Sequence, residues 1–149
     1  MKDEIYEYLK SYGFTNEDMK QIEKENTEIF YVNLKDVKDN IEFLLSKELT
    51  KEEIIGIINN NPFMLTDEKN RREYYDDIYL NILKLNNQEL KKLIKSNNDA
   101  YTSSPIELSN IIKYLSSDYS IENIKKLILT NPQIITMKLE AAKKIVKLV

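Results

Sequence analysis

The residues of this chain best placed to do chemistry are cationic, and they fall at helical spacing. Lys91, Lys92 and Lys95 lie within five positions, and Lys125 and Lys126 repeat the first pair 34 residues later. Arg71 and Arg72, the only arginines, stand side by side. Lysines that return at equivalent positions of a repeated element line up along one surface, and such a stripe suits the regularly spaced phosphates of a nucleic acid. The competing reading is a solvated helix face whose cations complement the dipole at helix C-termini. Lysine contributes charge without the planar, bidentate geometry of arginine, so the stripe is a set of point charges.

Other chemistries are closed off by composition. The chain has no cysteine and no histidine, which removes disulfides, thiolate metal sites, cysteine nucleophiles and the commonest general base and metal ligand. An enzyme would have to work with carboxylates, Lys or Tyr alone. The densest polar-aromatic stretch is Glu73-Tyr74-Tyr75-Asp76-Asp77 with Tyr79. Glu73 and Asp77 share a helix face and could hold a hydrated cation, while tyrosines could stack on bases. The simpler reading is exposed acids flanking core tyrosines. The expectation is a protein without catalytic residues, cofactor or metal.

Charge is unevenly spread. Overall the chain is −3, yet residues 1–70 sum to −7 and residues 71–149 to +4. An acidic half repels a polyanion, so a nucleic-acid footprint is expected only beyond about residue 70, on Arg71, Arg72, Lys91, Lys92, Lys95, Lys125 and Lys126. The start, Met1-Lys2-Asp3-Glu4-Ile5-Tyr6-Glu7, has neither a secretion-signal nor a transit-peptide profile, and no apolar run approaches a membrane span. A cytoplasmic protein with no membrane partner is expected.

The elements that must position these side chains are read from a repeat. Asn131-Pro132-Gln133-Ile134-Ile135-Thr136 restates Asn61-Pro62-Phe63-Met64-Leu65-Thr66. Aligned against itself the chain gives four units, about 6–40, 41–76, 77–110 and 111–149, anchored on Phe14, Leu49, Leu85 and Tyr119. Each anchor precedes an N-cap type: Thr15, Thr50, Asn86 and Ser120. Asp18, Glu53 and Glu89 stand three residues on in the first three units, the pattern of a capping box. Short helices are predicted at about 16–25, 51–60, 87–96 and 121–130, each with one apolar stripe. Asn26, Asn61, Asn97 and Asn131 follow them, and a left-handed asparagine cap is expected there.

A longer helix completes each unit, expected to begin near Asn33, Thr66, Ser104 and Thr136. On that reading the distance between N-caps is 18 residues in units one and three and 16 in units two and four, so the units alternate. Ile5 and Leu9 match Ile41 and Leu45 of the next long helix, which makes the N-terminal helix half a unit serving as a cap. Residues 143–149 stop at the matching point, as a second cap or a cut end. With 42% hydrophobic and 32% charged residues and only 2 Gly, composition agrees with an ordered helical chain. No linker-like segment interrupts it, so one domain over 1–149 is expected.

Units of about 35 residues, each a short helix, an Asn-Pro-x-apolar-apolar step and a longer helix, resemble the repeat of the mitochondrial transcription termination factor family. The likeness covers almost the whole chain and is sharpest at Asn61–Leu65 and Asn131–Ile135; Thr27 and Asn98 stand where the family has proline. The resemblance implies an all-α, right-handed superhelical array of helical triplets, with a third, short helix at about 62–65 and 132–135. It also implies non-catalytic binding of DNA or RNA along a basic groove. The second reading is a protein-binding adaptor or inhibitor, for which a two-signed surface supplies electrostatic complementarity.

Overall fold

A computed structural model of the chain describes residues 1–148; Val149, the last residue of the expected C-terminal cap, lies outside the described residues. Among the described residues every regular element is helical, so the protein is all-α. The backbone forms two compact units, Met1–Glu68 and the segment from Lys69 onward.

The first unit contains α1 (Asp3–Tyr12), α2 (Asn16–Glu25), α3 (Leu34–Leu45) and α4 (Lys51–Asn60), with 3-10 turns at Thr27–Phe30 and Pro62–Leu65. The second contains α5 (Lys69–Asp76), which runs into a π-helical turn at Asp77–Ile82, then α6 (Asn87–Ser96), α7 (Pro105–Leu115), α8 (Ile121–Thr130), a 3-10 turn at Pro132–Thr136, and α9 (Leu139–Leu148). The four short helices α2, α4, α6 and α8 occupy the predicted positions because their caps are explicit in the sequence. Thr15, Thr50 and Asn86 form reciprocal capping boxes with Asp18, Glu53 and Glu89, and Ser120 accepts from the Asn123 amide.

Two expectations about the repeat are corrected. Thr66 and Thr136 do not start the long helices: Thr66 closes the turn Pro62–Leu65, Thr136 ends the turn Pro132–Thr136, and α5 and α9 begin at Lys69 and Leu139. The proline step consumes residues as a 3-10 turn before the chain re-enters an α-helix. Measured between first helical residues, the spacing from short to long helix is then 18 in all four repeats (16→34, 51→69, 87→105, 121→139), and the alternation in length disappears. The 3-10 turn also forms at Thr27–Phe30 without proline.

The asparagines are not left-handed. Asn26, Asn61, Asn97 and Asn131 have φ between −142° and −126°, and the left-handed region is used one junction earlier. Gly13 (φ 129°), Glu48 (φ 64°) and Lys84 (φ 56°) each immediately precede an anchor residue, reversing the chain after a long helix. Asn26 and Asn97 instead work through their side chains. Asn26 Nδ2 donates to the Pro62 carbonyl (3.1 Å) and Thr66 Oγ1 (2.9 Å), and its Oδ1 accepts from the Glu28 amide. Asn97 Nδ2 repeats this with Pro132 (3.0 Å) and Thr136 (3.2 Å), and its Oδ1 accepts from the Asp99 amide. Within each compact unit, the asparagine of the first repeat therefore holds the prolyl turn of the second.

Each unit has its own apolar core. Ile5, Leu9, Ile22, Ile41, Leu44, Ile54 and Ile58 are fully buried in the first, as are Leu108, Ile111, Ile124, Ile128 and Ile134 in the second. Asn40 on α3 is also buried; its amide donates to the carbonyls of Asp36, Leu65 and Asp67 and fixes the chain leaving the Pro62–Leu65 turn. The second core adds Tyr75, Tyr79 and Tyr101, with ring centroids 5.4–5.8 Å apart. The Tyr79 hydroxyl donates to the Ala100 carbonyl, and that of Tyr101 donates to Asp76 Oδ1 at 2.6 Å. Burial pushes both phenols well above their ordinary pKa, with Asp76 adding to the effect, so they stay neutral donors. In the third repeat an irregular turn at residues 98–102 replaces the 3-10 helix and carries Tyr101 inward.

Candidate nucleic-acid interface

The cationic site is built on α6. Its N-terminus is fixed by Asn86, whose side chain accepts from the Glu89 amide while the Asn86 amide donates to Glu89 Oε1. Leu90, Leu93 and Ile94 are buried, which fixes the helix rotation and leaves the opposite face outward. On that face Gln88, Lys91, Lys92, Lys95 and Ser96 line a shallow groove of ≈ 360 Å³. Three ammonium groups and two neutral polar side chains over two turns concentrate donors and positive charge on this face, an arrangement suited to phosphate oxygens.

The surroundings favour the same sign. The unit from Lys69 onward carries 14 basic and 9 acidic residues, a formal +5, whereas Met1–Glu68 carries 8 and 16, a formal −8. In the first unit the corresponding face of α2 has Lys20, Gln21 and Lys24 between Glu17 and Glu25, with Gln21 Nε2 donating to Glu25 Oε1. That face is therefore mixed in sign.

The remaining predicted cations separate. Lys126 is exposed on α8. Lys125, one residue earlier, is tied down: its Nζ lies 3.0 Å from Glu89 Oε1, and its side chain is 16% exposed. Glu89 thus does two jobs, capping α6 and anchoring α8. Its carboxyl is held below the usual carboxylate range chiefly by the hydrogen bond from the Asn86 amide; burial opposes this, and the Lys125 ammonium adds to the lowering. Arg71 is half-buried on α5, and Arg72, expected among the phosphate contacts, is buried, with only 8% of its surface exposed. The stripe that remains outward is Lys91, Lys92 and Lys95, with Lys126 on the neighbouring repeat.

The link between a capping acid and the next short helix was not read from sequence. In the first unit Asn59 Nδ2 donates to Asp18 Oδ1 at 3.1 Å, the counterpart of Lys125 with Glu89. Asp18 and Glu89 align, but Asn59 and Lys125 occupy different positions in their helices, so column-by-column comparison conceals the pair. The acidic-aromatic stretch is divided: Tyr75 and Tyr79 are buried and Tyr74 is exposed, Glu73 pairs with Lys69 at 3.7 Å, and Asp77 accepts from Asn81 Nδ2 at 2.8 Å. No group of three or more Asp and Glu side chains able to hold a metal ion occurs among the described residues, and no described helix is long and apolar enough to cross a membrane. The chain matches no known protein-family model and no curated protein.

Proposed function

We propose that this protein binds DNA or RNA without catalysis, as a cytoplasmic regulator that contacts phosphates through the outward face of α6. The observation that carries the reading is the Lys91, Lys92, Lys95 stripe, aligned over about one helical turn in the unit of net positive charge. Lys126 extends it, and Arg71 is the more exposed of the two arginines. Resemblance to the mitochondrial transcription termination factor repeat supports the same reading, and the right-handed superhelical course it implies is part of this proposal. Three or four lysine contacts supply a sequence-independent, salt-sensitive attraction of moderate strength.

The experiment is a titration of labelled single- and double-stranded oligonucleotides at low and moderate salt. Binding is expected at about 50 mM salt, with loss in a Lys91→Glu, Lys92→Glu, Lys95→Glu triple variant that melts like the parent. No detectable binding at that salt removes the nucleic-acid reading and leaves the protein-binding adaptor, which the exposed Leu80, Ile82, Tyr114, Tyr119 and Ile121 of the second unit favour.

A further inference from the structure

A second surface lies on the same unit, away from the residues of the α6 stripe. Along α7, Ser109, Ile112, Lys113 and Ser116 fall at i, i+3, i+4 and i+7 and form one side of an open slot of ≈ 340 Å³. Ile82, at the end of the π-helical turn, and Ile121, the first residue of α8, complete its lining. Ile112 is only 6% exposed and forms the floor, whereas Ile82 and Ile121 are 39% and 37% exposed. Two isoleucines each more than a third exposed beside a buried third leave apolar surface in water, and apolar surface of this kind marks an interaction site.

The chemistry of the lining selects the occupant. Isoleucine neither stacks on bases nor holds phosphates, so the slot does not extend a polynucleotide track. It is open along its length, too shallow to enclose most of a small molecule. The stripe from Ser109 to Ser116, the C-cap of α7, spans about 10 Å, the same length as the i to i+7 anchors of a partner helix laid along it. Lys113 forms no ion pair among the described residues, and it lies in a unit of net +5. From this we infer that the slot is a docking groove for an acidic amphipathic helix of a partner protein. Apolar residues of that helix insert between Ile82 and Ile121 onto Ile112, and a carboxylate pairs with Lys113 while Ser109 supplies a hydroxyl donor. This surface shares no residue with the α6 stripe and does not depend on the nucleic-acid reading.

The test uses the whole chain with labelled isoleucine methyls. It is titrated with a synthetic helical peptide about 15 residues long that carries leucines at i, i+3, i+4 and i+7 and glutamates elsewhere, and with a counterpart having lysine for each glutamate. The expected result is saturable binding of the glutamate peptide, with methyl shifts at Ile82, Ile112 and Ile121 and at least about tenfold weaker binding of the lysine peptide. Ile121→Glu should abolish binding and Lys113→Glu should weaken it about tenfold. Ile106→Glu, at an isoleucine that is 63% exposed and not part of the slot, should leave it unchanged. All three positions are exposed or at a rim, so the fold should survive. No saturation up to about 1 mM, equal binding of the two peptides, or shifts centred elsewhere would overturn the inference.

Discussion

Asn26→Ala removes three hydrogen bonds from a side chain with no exposed surface: those to the Pro62 carbonyl and Thr66 Oγ1, and the one accepted from the Glu28 amide. The Thr66 hydroxyl retains Glu28 Oε2 as an alternative at 3.3 Å, so its loss is small. The Pro62 carbonyl and the Glu28 amide lose a partner, at about 1–3 kcal/mol for each group left buried and unsatisfied. The expected destabilisation is about 3 kcal/mol, with the upper bound reduced where water reaches the Glu28 amide. Asn131→Ala is the internal control: among the described residues Asn131 Nδ2 donates only to the Leu127 carbonyl, which also accepts from the Asn131 amide, so about 0.5–1 kcal/mol is expected. Thermal and urea unfolding followed by far-ultraviolet circular dichroism measure both. For a unit of this size the Asn26 variant should melt about 10–20 °C lower and the Asn131 variant a few degrees lower. If the two variants lose the same stability, the claim that Asn26 ties one repeat to the prolyl turn of the next is refuted.

Further outcomes follow from other particulars of the fold. Gly56 has open space around a would-be Cβ, so Gly56→Ala should stabilise α4 by about 0.5–1 kcal/mol. Gly13→Ala should destabilise, because φ is 129° there and the added Cβ would lie 3.1 Å from Ile55 Cδ1; thermal melts of the two variants should move in opposite directions. Lys125→Gln should lower the melting temperature while Lys92→Gln leaves it unchanged, since Lys125 is tied to Glu89 and Lys92 has no ion pair among the described residues. The folded-state pKa of Glu89 is depressed, so the stability it contributes is complete above the ordinary carboxylate pKa of about 4.3 and is lost as pH falls through the folded value. The melting difference between the parent and Glu89→Gln should therefore shrink as pH falls below about 4, and a difference that stays constant across that range would contradict the assignment.

Much of the fold was legible because it is written in local chemistry. Thr15 with Asp18, Thr50 with Glu53 and Asn86 with Glu89 state where a helix starts, and the bounds of α2, α4, α6 and α8 followed from them. What local chemistry could not state is which of two jobs a residue takes. Thr66 and Thr136 are good N-cap types, but their hydroxyls instead accept from asparagines about 40 residues earlier, a partnership set by tertiary packing. Asparagine tolerates a left-handed backbone, yet at Asn26 and Asn97 the amide is worth more as a cross-repeat donor. The site divided in the same way. Helical spacing correctly grouped Lys91, Lys92 and Lys95 on one face. Spacing carries no information about depth, so it could not reveal that Arg72 lies inside or that Lys125 closes on Glu89.

The central claim is a phosphate-binding stripe on α6, and its most direct measurement is the salt dependence of oligonucleotide affinity for the parent and for a Lys91→Gln, Lys92→Gln, Lys95→Gln variant. With three or four lysines engaged, log K against log salt should fall with a slope of about −3 on duplex, and the variant should flatten it to about −1 or lose binding. A slope unchanged by the triple substitution, or affinity indifferent to salt, would contradict the account.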